Sequence, residues 1–131
     1  ECMAELVLDS HANMLDYMTE GSAACVMFNF GYLPGGDHAI QTKAQTSIEA
    51  IQAGLSILRK GGIMTLCLYG GSDVQKEEKE AILTMLQSLD PKIYLVITGC
   101  YFNRPNNPPM PVFIQKLEGK DSSCISSFGL L

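Results

Sequence analysis

Apolar residues recur along this chain in two different periods, and the alternation between the two predicts an α/β fold. Leu6-Val7-Leu8, Ala23 to Phe30, Ile63 to Tyr69, Ile93 to Phe102 and Val112 to Leu117 are short apolar runs of strand length. Helical spacing appears between them. Met14, Leu15 and Met18 follow a cap at Asp9 or Ser10 and predict a short helix over Ala12 to Met18. From Thr42 onward, Ile48, Ile51, Leu55 and Leu58 predict a second helix that ends at Arg59-Lys60-Gly61-Gly62, basic and then glycine. Gln75 to Leu89 carries Ala81, Ile82, Met85, Leu86 and Leu89 on one side and stops before Pro91. The order is β-α-β-α-β-α-β-β. Ala23 to Phe30 is apolar enough to predict a strand buried on both faces of a parallel sheet. The last two strands are joined by the Asn103 to Pro109 loop with no helix, which predicts an antiparallel hairpin. The expected fold is an open α/β sheet, mostly parallel, ending in that hairpin.

Composition narrows the function classes. With 131 residues the chain has the length of one domain. A formal charge of −5 argues against a general basic clamp for nucleic acid. None of the five cysteines is spaced C-x-x-C and neither histidine is near one, so no metal site is expected. An odd number of cysteines placed in apolar runs predicts a reduced, cytoplasmic protein. No apolar run approaches the ~20 residues that span a bilayer, so no membrane partner is expected. Lys120 to Leu131 is Ser-rich with an apolar tip and reads as a tail.

In an open α/β sheet, ligands bind beyond the carboxyl ends of the strands. Three predicted loops have that position: Asp9-Ser10-His11, the stretch from Asn29 to His38, and Tyr69 to Asp73. In the second, an Asn ends an apolar strand and an aromatic, glycine-rich turn follows. An Asn side-chain oxygen, with a nearby carbonyl, can accept both hydrogens of an amine and aim the nitrogen lone pair at an electrophile. The same Asn can equally cap the next turn, with Tyr32 covering the sheet end. His11 is a site group or a locally bonded helix-start residue; Asp37 orders its loop or holds substrate. Tyr69 lines a pocket or finishes a strand, and Asn103 is open between nucleic-acid contact and loop shaping. The charge run Gln75 to Glu80 reads as a solvated helix face.

Asn29-Phe30-Gly31-Tyr32 resembles the Asn-Pro-Pro-Tyr motif of amino-methyltransferases. The wider segment Asn29-Phe30-Gly31-Tyr32-Leu33-Pro34-Gly35-Gly36-Asp37 resembles the signature of a small class I methyltransferase family described as rRNA methylases. The likeness continues through Thr46-Ser47-Ile48, Tyr69-Gly70-Gly71 and Asn103 to Pro109, with Ser10-His11 before them, and covers roughly residues 5 to 117. It implies a Rossmann-like class I methyltransferase fold with strand order 3-2-1-4-5-7-6 and S-adenosyl-L-methionine as cofactor. It further implies an RNA substrate: the aminomethyl group of 5-aminomethyl-2-thiouridine at the tRNA wobble position, or alternatively rRNA. Asn29, Tyr32 and His11 would be catalytic. Ser10, His11 and Asn29 would face the cofactor, and Gly31, Leu33, Pro34, Asp37, Tyr69 and Asn103 the substrate. In the family layout this chain begins near the third strand, about fifty residues in at ~30 residues per βαβ unit. Residues 1–118 would then be a partial methyltransferase domain and 119–131 a tail. Lacking the glycine-rich cofactor turn, these residues alone are expected to be inactive, and a non-catalytic interaction module is the alternative reading. Ala23 to Phe30 would be a bare sheet edge prone to self-association, with a homodimer as its simplest form.

Overall fold

In the computed structural model, the described residues are 3–30 and 43–118. A short 3-10 helix spans His11–Asp16. It is followed by β1 (Ala23–Asn29), α1 (Ala44–Ile57), β2 (Leu58–Leu68), α2 (Asp73–Gln87), β3 (Tyr94–Thr98) and β4 (Met110–Lys116). The four strands form one sheet in the order β1-β2-β4-β3. This matches the 4-5-7-6 end of the strand order that the sequence resemblance implies. β1 and β2 are parallel, while β4 runs antiparallel to both β2 and β3. The expected hairpin therefore closes the sheet. Its return strand, β4, inserts beside β2 and alone runs against the other three strands, so the described sheet is mostly parallel with the expected antiparallel hairpin. β1 lies at its edge.

One face of this sheet carries the core. Val26, Phe28, Met64, Leu66, Leu68, Val112 and Ile114 point to it and pack with Ile51 and Leu55 of α1 and Ile82 and Leu86 of α2. Gly54 lets α1 lie close: a Cβ there would stand 2.7 Å from Met64 Cε and 3.2 Å from Phe28 Cε2. The alternate row is open. Met27, Thr65, Phe113 and Ile97 are cross-strand neighbours in register, and Met27 is 73% and Ile97 53% exposed. Burial of β1 on both faces is thus corrected: both helices pack on the same side, and the residues alternate.

Two further expectations change. Leu6-Val7-Leu8 is not a strand, and Leu6 and Leu8 are fully exposed. Among the described residues no strand lies beside this segment to take its backbone hydrogen bonds, and without a ladder extended chain is not a strand. The Arg59-Lys60-Gly61-Gly62 stretch does not cap α1. The chain turns straight from Ile57 into β2, and the glycines serve a bulge. Ala23 pairs with Leu58 and Cys25 with Ile63, so two steps along β1 match five along β2. Gly61 holds a positive φ of 73°, and a Cβ on Gly62 would meet Arg59 O at 2.8 Å. The bare end of α1 is satisfied from elsewhere. Lys116 Nζ donates to Leu55 O at 3.0 Å and Leu58 O at 2.8 Å, placing a cation at the helix C-terminus.

Candidate functional site at the carboxyl end of the sheet

β1 and β2 are parallel, so both release their chain at the same edge of the sheet. Phe30 fixes the exit from β1. It is 3% exposed, stacks on Phe28 with ring centroids 5.0 Å apart, and donates its N–H to Cys67 O at 3.4 Å. Asn29, one residue earlier, falls in the opposite row of the strand and is exposed, opposite Cys67. An amide is therefore presented to solvent at the end of a strand whose neighbours are locked into the core. Gly31, Tyr32, Leu33, Pro34, Asp37 and His38 lie outside the described residues.

Ser10 and His11 reach the same edge from the other side. Ser10 caps the 3-10 helix, its Oγ accepting from the Ala12 N–H at 3.3 Å. Exposed His11 sets its ring edge-on to Phe28, with centroids 6.0 Å apart. Phe28 belongs to the core row and Asn29 to the open row, so His11 and Asn29 stand on opposite faces of β1 at one end. Asp9 holds this helix in place. It accepts from the Tyr17 hydroxyl at 2.7 Å, the Ser10 N–H at 2.6 Å and Asn13 Nδ2 at 2.9 Å. Those bonds, Tyr17's first, hold the Asp9 carboxyl below its ordinary value. A carboxyl whose pKa falls on folding stabilises the folded form above its unfolded value and loses that contribution as pH drops through the folded one. The Ser10-His11 segment is therefore expected to loosen below about pH 4, and Asp9→Asn to loosen it at neutral pH. Amide exchange at Ala12 and Asn13 would show both; protection unchanged between pH 6 and pH 3 would refute the expectation.

The exit from β2 is built by Tyr69-Gly70-Gly71-Ser72. Ser72 and Gln75 form a reciprocal cap on α2. Ser72 Oγ accepts from the Gln75 N–H at 3.3 Å, while Gln75 Oε1 accepts from the Gly71 and Ser72 N–H groups, both at 3.1 Å. A third segment closes on this turn: Asn107 Nδ2 donates to Gly70 O at 3.0 Å. Tyr69 is partly exposed. Its phenol is pushed up from its ordinary value, first by the Cys67 thiol, then by burial and a hydrogen bond with Cys67, and lastly by Tyr101. Asn103 is exposed in the loop after β3, the loop that Asn107 ties to Gly70.

The Gln75 to Glu80 stretch is not wholly solvated. Gln75 and Glu78 are 6% and 4% exposed, and Glu78 Oε1 accepts a short hydrogen bond from the Ser47 hydroxyl of α1. Ser47 and Glu78 are supporting residues that spacing alone did not single out. Only Gln75 carried a local signal, through the Ser72-x-x-Gln75 cap pattern. Among the described residues no group of three His, Cys, Asp or Glu could hold a metal ion, and no helix is long and apolar enough to cross a membrane.

Comparison with known proteins adds to this geometry. Residues 1–115 match a protein-family model described as "Putative rRNA methylase". A "tRNA (mnm(5)s(2)U34)-methyltransferase, chloroplastic" from Arabidopsis thaliana is 32% identical over 105 residues, which is 79% of this chain and 37% of that protein. The solved structure of a "putative rRNA-methylase" from Clostridium thermocellum superposes with a TM-score of 0.80 at 41% identity, over 86% of this chain and 60% of that one. A "putative methyltransferase" from Streptococcus mutans in complex with SAH gives a TM-score of 0.76 at 34% identity, over 86% and 61%. The chain thus spans just over a third of the curated relative and about three fifths of these structures.

Proposed function

The chain belongs to the rRNA methylase family, and from that premise we propose that the protein is an S-adenosyl-L-methionine-dependent methyltransferase that N-methylates the aminomethyl group of 5-aminomethyl-2-thiouridine at the tRNA wobble position. The observation that carries the reading is Asn29. It is an exposed amide at the end of a parallel strand, at the sheet edge where α/β enzymes bind ligands, and Phe30-Gly31-Tyr32 follows it in the sequence. The RNA and its modified base are suggested by what the Arabidopsis relative is named for. The cofactor is suggested by the Streptococcus relative's SAH.

The residues present fit one side of such a cofactor. Exposed Ser10, His11 and Asn29 supply a hydroxyl, an imidazole and an amide at one sheet end, donors and acceptors for ribose, amino and carboxylate groups. S-adenosyl-L-methionine, when bound, supplies a methyl already activated by its positive sulfur. The chain's own task is orientation. The Asn29 side-chain oxygen accepts from the substrate amine and fixes the direction of its lone pair. An alkylammonium must first lose a proton; solvent takes it, or, since His11 lies on the other face of β1, a water passes it to His11. Tyr32 is proposed to pack on the base, with Gly31, Leu33, Pro34, Asp37, Tyr69 and Asn103 binding the substrate. Free Cys25, Cys67 and Cys100 suit a reducing compartment such as the cytoplasm.

The test is methyl transfer by the complete protein to tRNA carrying unmethylated 5-aminomethyl-2-thiouridine, read by mass spectrometry of nucleosides. One added methyl on that nucleoside is expected. Methyl transfer to rRNA alone, or to neither, would overturn the assignment.

A further inference from the structure

We propose that the loop joining β3 to β4 is a stacking platform for single-stranded RNA bases, with Phe102 as its main contact and Tyr101 beside it. This rests on the RNA reading above and extends it from Asn103, which that reading sets beside the substrate, to the two aromatic rings that precede it in the loop. Phe102 is 102% exposed, as open as the side chain can be, and Tyr101 is 47% exposed. An aromatic ring held wholly in water at a loop tip gains nothing for folding, and a bare π-face is what sequence-tolerant base stacking needs.

The loop is held from both ends, so the rings are presented on a fixed support. At its start the Gly99 N–H donates to Pro111 O at 2.8 Å, and a Cβ on Gly99 would come within 3.0 Å of Pro111 Cγ. At its end Asn106 and Asn107 take left-handed backbone at φ 66° and 49°, a conformation that Asn tolerates better than most residues. That turn aims the Asn107 amide at Gly70 O, which ties the loop to the exit of β2. The platform therefore borders the candidate site: Tyr101 lies close enough to Tyr69 to raise its phenol's pKa.

The local charge suits an RNA strand despite the acidic whole. Arg104 is exposed two residues from Phe102. Lys79 Nζ reaches the same turn, 3.9 Å from where a Gly70 Cβ would stand. The order aromatic, aromatic, Asn, Arg places base-stacking and phosphate-binding groups together on one short loop.

Binding of a fluorescent, unmodified tRNA anticodon stem-loop to the complete protein tests this by anisotropy. Phe102→Ala is expected to weaken binding about 5- to 150-fold, the range for losing one aromatic–base stack, and Phe102→Trp to restore it. Affinity for S-adenosyl-L-methionine and the thermal midpoint should be unchanged in both, because the Phe102 side chain is fully exposed. Unaltered RNA binding by Phe102→Ala, in a protein whose wild type binds the stem-loop, overturns the platform and leaves the proposed function standing. A wild type that binds no RNA overturns both.

Discussion

Asn29→Ala in the complete protein is expected to lower kcat on its RNA substrate by about 100-fold or more, the scale lost when a reacting group is misplaced by an ångström. The argument starts from the strand. β1 ends with its core row locked by the Phe28–Phe30 stack and by the Phe30 N–H bond to Cys67 O, so the backbone at Asn29 has little freedom. Its amide is exposed, opposite Cys67, and has no hydrogen-bond partner among the described residues. Truncation removes no packing, and the thermal midpoint should stay within about half a kcal/mol equivalent of wild type, as for other surface changes. Asn29→Asp separates orientation from simple polarity. A carboxylate keeps the oxygen but adds a charge that would bind an ammonium and hold its proton, and so should also be slow. Single-turnover rates at saturating S-adenosyl-L-methionine and RNA isolate the chemical step. If the whole loss lies in cofactor affinity, with the saturated rate intact, Asn29 binds cofactor and does not orient the amine.

Much of this architecture could be read from hydrophobic period, and the places where it could not have physical reasons. β1 and α2 fall within two residues of their apolar runs because burial on one face writes itself into the sequence, whereas β2 begins five residues ahead of Ile63, at Leu58, which the helical spacing had claimed. The both-faces reading of β1 failed because its open row, Cys25 and Met27, is also apolar, and an apolar run does not say whether its second face is covered. Gly61-Gly62 after Arg59-Lys60 has the composition of a helix cap, yet glycine is equally demanded where a strand bulges. Only the pairing partner, Ala23 to Cys25 of β1, decides between the two. β3 stops at Thr98, short of its apolar run, because Gly99 turns the chain over Pro111 and frees Cys100 to Phe102 for the loop. At the site, Asn29 and Tyr69 were legible because they end strands. Ser47 and Glu78 were not, nor was the tie from Asn107 to Gly70, since each bond joins residues more than thirty positions apart.

The Ser47–Glu78 pair is where that long-range support should show most in stability. Ser47 is 1% and Glu78 4% exposed, and among the described residues no buried side-chain polar atom is without a partner. Ser47→Ala leaves a buried Glu78 side-chain oxygen without its donor, which costs about 1–3 kcal/mol. A drop of that size is therefore expected, seen as a lower urea midpoint with an unchanged slope. Glu78→Leu should cost less, because the orphan is then a neutral hydroxyl that can turn toward its own helix backbone, as Ser56 and Thr84 turn to Gln52 O and Glu80 O. The double variant Ser47→Ala/Glu78→Leu removes both polar groups and should recover much of the loss, as replacing a buried polar pair with apolar groups often does. Additive losses in this cycle would mean the pair is not coupled. The consequence for the site follows from connectivity. Ser47 lies in the first turns of α1, directly after the segment that begins at Gly31, and Glu78 lies in α2, directly after the Tyr69–Ser72 turn. Their hydrogen bond sets the spacing of the two helix starts, so loosening it should widen the distance between the start of α1 and the Tyr69 turn. Ser47→Ala is thus expected to raise the RNA KM at temperatures well below its melting point, and the double variant to bring KM back only as far as it brings back stability.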